Sequence, residues 1–320
     1  MYFPILRGRQ YELIALRELV ENKELSKKII PIVEPVRLSS TLLSTIDAFN
    51  NAEREIGVVL NPQVGNFFEE IRNSKDSYRE RFFEQLKSDK VIHTVYLNEQ
   101  CLETLQWYGN KVSITNPIMI CGNLDAIPIY DEMIKNYLPR YALIPDESAY
   151  RRRIRSHRVL LADRFNKLDR NVDYAKQCDE PFSEDHLYFK EDGYVGFSDY
   201  SIIGNEYYEK GFAPYAVTIH IVYFSKNFIA NGDEVHSLRI KHFVSDTNED
   251  IQDPAAKFEE ALGKLVEWCE TSQHIKTAAI ETFCAMHKSK RYPGLGTVKK
   301  LSIMHHLQLM SMYLDKEQCV

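Results

Sequence analysis

The chain has 320 residues, of which 44% are hydrophobic and 27% charged, and its formal net charge is −6. This composition is ordinary for a globular protein with a substantial core, and its acidity argues against a surface that coats nucleic acid. The apolar run after Met1 is far too short for a signal peptide or a membrane span. We therefore expect a cytoplasmic protein without a membrane segment.

Apolar runs alternate with helical patterns through the first 201 residues. Eight of them end at a polar residue or a turn, and they cover residues 3–6, 29–33, 56–60, 91–97, 118–121, 141–144, 158–162 and 194–197. Near-continuous apolar strands separated by helices are typical of a parallel sheet covered on its outside, and eight such units close a barrel. The sequence predicts an α/β fold, a (β/α)8 TIM-like barrel. An open doubly wound sheet is the alternative, although no strand is followed by G-x-G-x-x-G or a P-loop.

The remaining residues predict additions to the barrel. Residues 166–192 are irregular and predict a loop or lid over the barrel mouth. Residues 215–224 and 238–245 predict an antiparallel hairpin around the turn dipeptide Asn231-Gly232, and helices follow. We therefore expect one TIM-like barrel domain over residues 1–320, with barrel strands and helices in 1–201, a loop and β-hairpin in 202–250, and C-terminal helices in 251–320.

In such a barrel, residues at the carboxyl ends of the strands share one mouth. Here these residues are Arg7, Glu34, Asn61, Asn98, Asp146, Asp163 and Asp199. Carboxylates on a common rim can act as an acid–base pair or hold a divalent cation, so Glu34, Asp163 and Asp199 are candidate catalytic residues. Arg7, Asn61 and Arg164 are candidate substrate-binding residues. The alternative is structural: each residue caps a helix, holds a turn or joins a salt-bridge network.

Two further clusters carry chemistry. Residues 151–158 hold five arginines, the one strong positive density in the chain, so Arg151 is a candidate phosphate-binding residue; a solvated helix face or a patch for an acidic partner fits equally. His220 is expected to face His242 across the hairpin and is a candidate catalytic residue, although a hydrogen-bonded core pair is the plainer interpretation. No dedicated metal site is predicted, and the six scattered cysteines favour free thiols.

Four segments together resemble the bacterial "beta family protein" group, which is named after a phage beta protein. They are FPILRGRQYELIALREL, IIPIVEPV, the pair GFSDYSIIG and FAPYAVTIHIVYF, and YPGLGTVKKLSIMHHL, spread over nearly the whole chain. The resemblance implies a barrel-like α/β fold, a setting in anti-phage defence or mobile-element gene clusters, and a nuclease-like partner protein through which any link to nucleic acid is indirect. It supplies no catalytic residue.

Two functions remain open at this point. The first is a cytoplasmic interaction protein that works with the nuclease-like partner. The second is a barrel hydrolase or phosphodiesterase that acts on a phosphate-containing substrate through the acidic rim, with or without a divalent cation. No G-x-S-x-G, H-E-x-x-H or kinase-type motif occurs, which disfavours serine hydrolases, zinc proteases and kinases.

Overall fold

A computed structural model describes residues 1–73, 77–208, 215–228, 234–271 and 276–316. The chain forms two compact units, the first from residues 1–163 and 188–200 and the second from residues 164–187 and 201–320. None of the described helices is long and apolar enough to cross a lipid bilayer.

The elements alternate strictly through most of the first unit. Its strands are β1 (Ile5–Leu6), β2 (Ile32–Val33), β3 (Ile56–Val59), β4 (Val91–Tyr96), β5 (Ile118–Ile120), β6 (Tyr141–Ile144), β7 (Arg158–Leu161) and, after β8 of the second unit, β9 (Gly196–Ser198). Its helices are α1 (Gln10–Glu21), α2 (Ser40–Asn51), α3 (Phe67–Asn73), α4 (Ser77–Gln85), α5 (Cys101–Gly109), α6 (Ala126–Met133) and α7 (Ser148–Arg153).

The eight strands form one parallel sheet in the order β1-β2-β3-β4-β5-β6-β7-β9. The seam between its two edges is closed by backbone hydrogen bonds, from Phe3 N to Phe197 O at 2.9 Å and from Ile5 N to Asp199 O at 2.8 Å. The predicted TIM-like barrel is therefore confirmed, strand by strand, and the open doubly wound sheet is wrong.

Burial explains why these short runs become strands. Every residue of β2, β3, β4 and β5 is buried, as expected when helices cover one face of a sheet and the barrel interior lies on the other. The helix that follows β2 begins where Ser39 accepts a hydrogen bond from Leu42 N at 3.2 Å, the expected N-cap. Each strand thus delivers its last residues to the same end of the barrel.

The second unit is built on a three-stranded antiparallel sheet in the order β10-β11-β8. The strands are β8 (Asp179–Ser183), β10 (Thr218–Phe228) and β11 (Glu234–Val244). The hairpin of β10 and β11 confirms the prediction, whereas its Asn231-Gly232 turn lies outside the described residues. The loop predicted for residues 166–192 is wrong in part, because it contains a 3-10 helix (Asn171–Lys176), β8 and α8 (Asp185–Tyr188).

The described residues of the second unit also form three long helices, α9 (Pro254–Thr271), α10 (Ala278–Ser289) and α11 (Leu295–Lys316). Residues 301–311 of α11 are all buried, including His305 and His306. His305 Nε2 bonds Val222 O at 2.7 Å, while His306 Nδ1 bonds Ser201 Oγ at 2.9 Å. Burial lowers the pKa of His305 to about 4 and of His306 to about 3, so both are neutral core residues.

Adding one methyl group at the barrel seam should lower the free energy of unfolding. A Cβ at Gly196 would lie 2.6 Å from Met1 O, whereas a Cβ at Gly109, the last residue of α5, would meet nothing within 4 Å. We expect Gly196→Ala to lower the free energy of unfolding of the first unit by about 1–3 kcal/mol, as overpacking does, and Gly109→Ala to leave it unchanged or raise it. The chain has two tryptophans, so in a Trp268→Phe background the fluorescence of Trp107 reports this unit alone during urea unfolding. Equal urea midpoints for the two alanine variants would contradict the close packing of Gly196 against Met1 at the seam.

Candidate functional site

The rim of the barrel is organised around the carboxylate of Glu34, which follows β2 and is 0% exposed. Its Oε2 accepts hydrogen bonds from Arg7 Nη1 and, at 2.9 Å, from the Tyr96 hydroxyl. Its Oε1 accepts from Gln63 N at 2.7 Å. One carboxylate therefore ties together chain segments that follow β1, β2 and β3 and the last residue of β4.

Arg7 and two tyrosines surround this carboxylate with buried proton donors. The Arg7 guanidinium lies over the Tyr200 ring, 5.3 Å from its centroid. Burial lowers the pKa of Arg7, but Glu34, Tyr96 and Tyr200 together outweigh burial and hold that pKa above its ordinary value. Burial raises the pKa of Tyr96 well above its ordinary value, and the charge of Glu34 adds to that shift. The cluster is therefore an ion pair flanked by phenols that keep their protons at neutral pH.

Asn61 joins two strand ends. Its side-chain amide donates to Tyr96 O at 2.8 Å and its carbonyl accepts from Tyr96 N at 2.9 Å. Both ends of the amide thus bind the backbone of β4, and a weaker bond reaches Asn98 at 3.4 Å. These contacts favour a structural role over the substrate-binding role predicted for Asn61.

Asp199 lies at the barrel seam. Its carboxylate accepts a hydrogen bond from the Tyr2 hydroxyl at 2.6 Å, and the Tyr2 ring stacks on Phe197 with centroids 4.9 Å apart. The residue is 4% exposed. Its position at the rim is as predicted, and its contacts are those of a residue that fastens the N-terminal segment to β9.

Asp163 differs from the other two carboxylates because it is exposed. It follows β7 and lies close enough to Tyr200 to influence that hydroxyl. Burial raises the pKa of Tyr200 to about 12; the charge of Arg7 opposes the shift, and the charges of Glu34 and Asp163 add to it. Of the three predicted catalytic carboxylates, Asp163 is the one that water can reach.

Arg151 lies on α7 and pairs with Asp146, which follows β6. Asp146 also accepts a hydrogen bond from the Tyr194 hydroxyl at 2.7 Å. Arg153 pairs with Asp131 at 2.9 Å. The predicted basic cluster is therefore partly neutralised by acids of the same unit, while the side chains of Arg152 and Arg155 are exposed.

Two predicted site residues belong to the second unit. Arg164 makes a bidentate pair with Asp185, with nitrogen–oxygen distances of 2.8 and 2.5 Å. His220 faces His242 in the register of β10 and β11, as predicted. Each of these residues thus has its immediate partner inside its own unit.

No set of three or more His, Cys, Asp or Glu side chains among the described ranges is arranged to hold a metal ion. Cys101, Cys121, Cys178, Cys269 and Cys284 are free thiols. Burial raises the pKa of the Cys121 thiol to about 12, which makes it a poor nucleophile.

Sequence reasoning missed Tyr96 and Tyr200. Both stand at strand ends, so the criterion that found Glu34 would have found them had phenols been included with charged and amide groups. The contact from Gln63 is made by a backbone N–H, and no side-chain pattern reports it.

Removing a charge from the Glu34 cluster should lower the free energy of unfolding far more than removing a charge from the surface. Glu34→Gln leaves the buried Arg7 guanidinium without its anion, and we expect a loss of about 3–5 kcal/mol in the free energy of unfolding. The double variant Arg7→Met/Glu34→Gln should recover much of this loss, because no charge then remains buried. Urea unfolding followed by Trp107 fluorescence in the Trp268→Phe background measures both.

Glu84→Gln is the matched control, since Glu84 makes an exposed ion pair with Lys87 at 2.6 Å. Such pairs contribute about 0–1 kcal/mol. A Glu34→Gln variant as stable as Glu84→Gln would show that the Glu34 carboxylate does not hold the rim together.

Comparisons with known proteins identified no relative of this chain. No family model matches the chain, and neither the curated proteins nor the solved structures contain a significant match. The resemblance to the beta family protein group therefore stays a prediction, and function rests on the side chains themselves.

Proposed function

We propose that the barrel rim is a hydrolytic site for a phosphate-containing substrate, with phosphodiesterase chemistry. The observation that carries this proposal is the cluster of Arg7, Glu34, Tyr96 and Tyr200 at the carboxyl ends of the strands, beside the exposed Asp163. In parallel barrels this end holds the active site, and buried ionisable groups with shifted pKa values mark functional sites.

The contacts divide the work among these residues. Glu34 has both oxygens occupied and serves to position Arg7 and Tyr96. Asp163 is the candidate general base, because its carboxylate is exposed and can take a proton from water. Arg7 supplies a fixed positive charge, and Tyr200 supplies a protonated hydroxyl, for the oxygens of a phosphoryl group.

The proposed step is a displacement at phosphorus. The oxygen of water bonds to phosphorus while one of its protons moves to Asp163. The bond from phosphorus to the ester oxygen breaks, and that oxygen leaves with the electron pair as an anion, which solvent water then protonates. Arg7 and Tyr200 stabilise the charge that develops on the phosphoryl oxygens. A divalent cation bound with the substrate would add to this stabilisation.

Hydrolysis of bis(p-nitrophenyl) phosphate, with and without Mg²⁺, tests the proposal. We expect Asp163→Asn to lower the rate about 10²–10⁴-fold, the usual contribution of a general base. Tyr200→Phe should lower it less, because only one hydrogen-bond donor is lost. Asp89→Asn is the control, since this exposed carboxylate precedes β4 at the opposite end of the barrel. Wild-type protein that is no more active than Asp163→Asn would contradict the proposal.

We also propose that the protein acts in the cytoplasm with a nuclease-like partner in anti-phage defence. Two observations support this: the resemblance of the four segments to the beta family protein group, and the exposed arginines Arg152 and Arg155 on an otherwise acidic chain. Such arginines suit an acidic surface on a partner protein. The free cysteines among the described residues fit a reducing compartment.

Binding between this protein and the purified product of the neighbouring gene tests the second proposal. We expect Arg152→Glu/Arg155→Glu to weaken the complex at least tenfold, and raised salt to weaken the wild-type complex, because the contact is electrostatic. Lys87→Glu reverses an exposed charge two residues after α4 and should have no effect. A complex that tolerates the double reversal would contradict a role for these arginines.

A further inference from the structure

The second unit contains a chain of hydrogen bonds that the barrel rim does not use. It runs from Glu180 on β8 to His242 on β11 and His220 on β10. His242 Nε2 lies 3.1 Å from Glu180 Oε1, and His242 Nδ1 lies 2.7 Å from His220 Nδ1. Glu180 and His242 are buried, at 7% and 3% exposure, whereas His220 is partly exposed. The chain thus leads from a buried carboxylate to the imidazole of a half-buried residue.

The donors and acceptors along this chain set the position of every proton. Glu180 Oε2 faces the amide groups of Gln177 and Asn166, the latter at 3.3 Å, so the carboxylate acts as an acceptor on both sides. His242 must then carry its proton on Nε2, which leaves Nδ1 as an acceptor. His220 in turn donates from Nδ1 to His242. The Nε2 of a neutral His220 is therefore a bare lone pair.

Both imidazoles are held neutral by their surroundings. Burial, the neighbouring His242 and the charge of Lys299 lower the pKa of His220 well below its ordinary value. Burial also lowers the pKa of His242, although Glu180 opposes that shift. The rings of Phe165 and Tyr174 pack edge-on against His220, with centroids 5.1 and 4.8 Å away.

The hydroxyl of Tyr174 is occupied elsewhere, because it accepts from Leu168 N at 2.9 Å and bonds Asn166 O at 3.3 Å. No hydrogen-bond partner of His220 Nε2 occurs in the described part of the chain. The charged and titratable groups around the two imidazoles are Glu180 on β8, Asp179 beside it, Lys241 on β11, Tyr174 on the 3-10 helix and Lys299 on α11.

We propose that His220 is the proton acceptor of a second site, whose ligand presents a hydroxyl group from water or a small alcohol. Glu180 and His242 are positioning residues: through their hydrogen bonds they fix the orientation of the His220 ring and keep its proton on Nδ1, so that His220 Nε2 is free of a proton. In acyl transfer the hydroxyl oxygen would bond to the carbonyl carbon of an ester as its proton moves to Nε2. The ester oxygen would then leave with the proton that Nε2 returns. This site does not depend on the barrel rim, and its variants leave Asp163 and Tyr200 intact.

Imidazole ¹⁵N NMR of the full chain at neutral pH tests the proton positions directly. We expect His220 to be protonated on Nδ1 alone and His242 on Nε2 alone. In Glu180→Gln, the side-chain carbonyl should turn to the amide donors of Gln177 and Asn166, so its NH₂ group faces His242. Both tautomers then invert, and His220 carries its proton on Nε2. Glu184→Gln, an exposed change four residues away, should alter neither tautomer.

Hydrolysis of p-nitrophenyl acetate by the same variants reports the proton-accepting power of Nε2. We expect His220→Gln and Glu180→Gln to lower the rate at least tenfold and Glu184→Gln to leave it unchanged. The difference in rate between wild type and His220→Gln should stay constant down to pH 6.5, the ordinary pKa of histidine, and should be about halved in D₂O as a proton transfer requires.

Either of two results would overturn the proposal. One is a His220 that is protonated on Nε2, or doubly protonated, at neutral pH in the wild-type protein. The other is a correct tautomer combined with equal rates for wild type and His220→Gln, which would make the chain of hydrogen bonds structural. Neither result bears on phosphodiester hydrolysis at the barrel rim, where Asp163→Asn is the test.

Discussion

The first unit depends on one buried carboxylate. Glu34 has no access to solvent, and a charge in that position is tolerated only because Arg7, the Tyr96 hydroxyl and the Gln63 N–H all turn toward it. These groups follow or end different strands, so satisfying the charge also sets the strand ends relative to one another. The approach is close: a Cβ on Gly8 would lie 2.8 Å from Glu34 O, and Gly8 has a φ of 63°, where glycine is favoured.

The hydrogen bonds that satisfy Glu34 also distinguish it from the other carboxylates at the rim. A carboxylate with both oxygens occupied cannot also accept a proton from a substrate without breaking its own support. Asp199 is similarly engaged by Tyr2. Asp163 is exposed and its charge adds to the raised pKa of Tyr200, so the three acids that follow β2, β7 and β9 lie in three different environments. His220 and His242 belong to the sheet of the second unit.

The strands of the barrel could be predicted because each belongs to a short, largely apolar and buried run that ends at a polar residue or a turn. The hairpin of β10 and β11 could be predicted from its alternating pattern and turn dipeptide. β8 could not, because Asp179–Ser183 contains Pro181 and two acids and is a strand only through its pairing with β11. The hydrogen bond between Glu180 and His242 could not be predicted either, because it depends on the pairing of β8 with β11 and joins residues 62 positions apart. That Arg7 lies near Glu34 could be predicted from the barrel fold alone. That both carboxylate oxygens of Glu34 accept hydrogen bonds could not, because this depends on the positions of Tyr96 and Gln63.

A crystal structure of the protein soaked with tungstate, a heavy analogue of phosphate, tests the central claim most directly. If Glu34 holds Arg7 as part of an anion-binding rim, the tungstate will lie within hydrogen-bond distance of Arg7 and the Tyr200 hydroxyl, next to Asp163, with the contacts of Glu34 unchanged. Tungstate bound only elsewhere on the chain, beside a rim that excludes it, would contradict the account and leave the Glu34 cluster with a purely structural role.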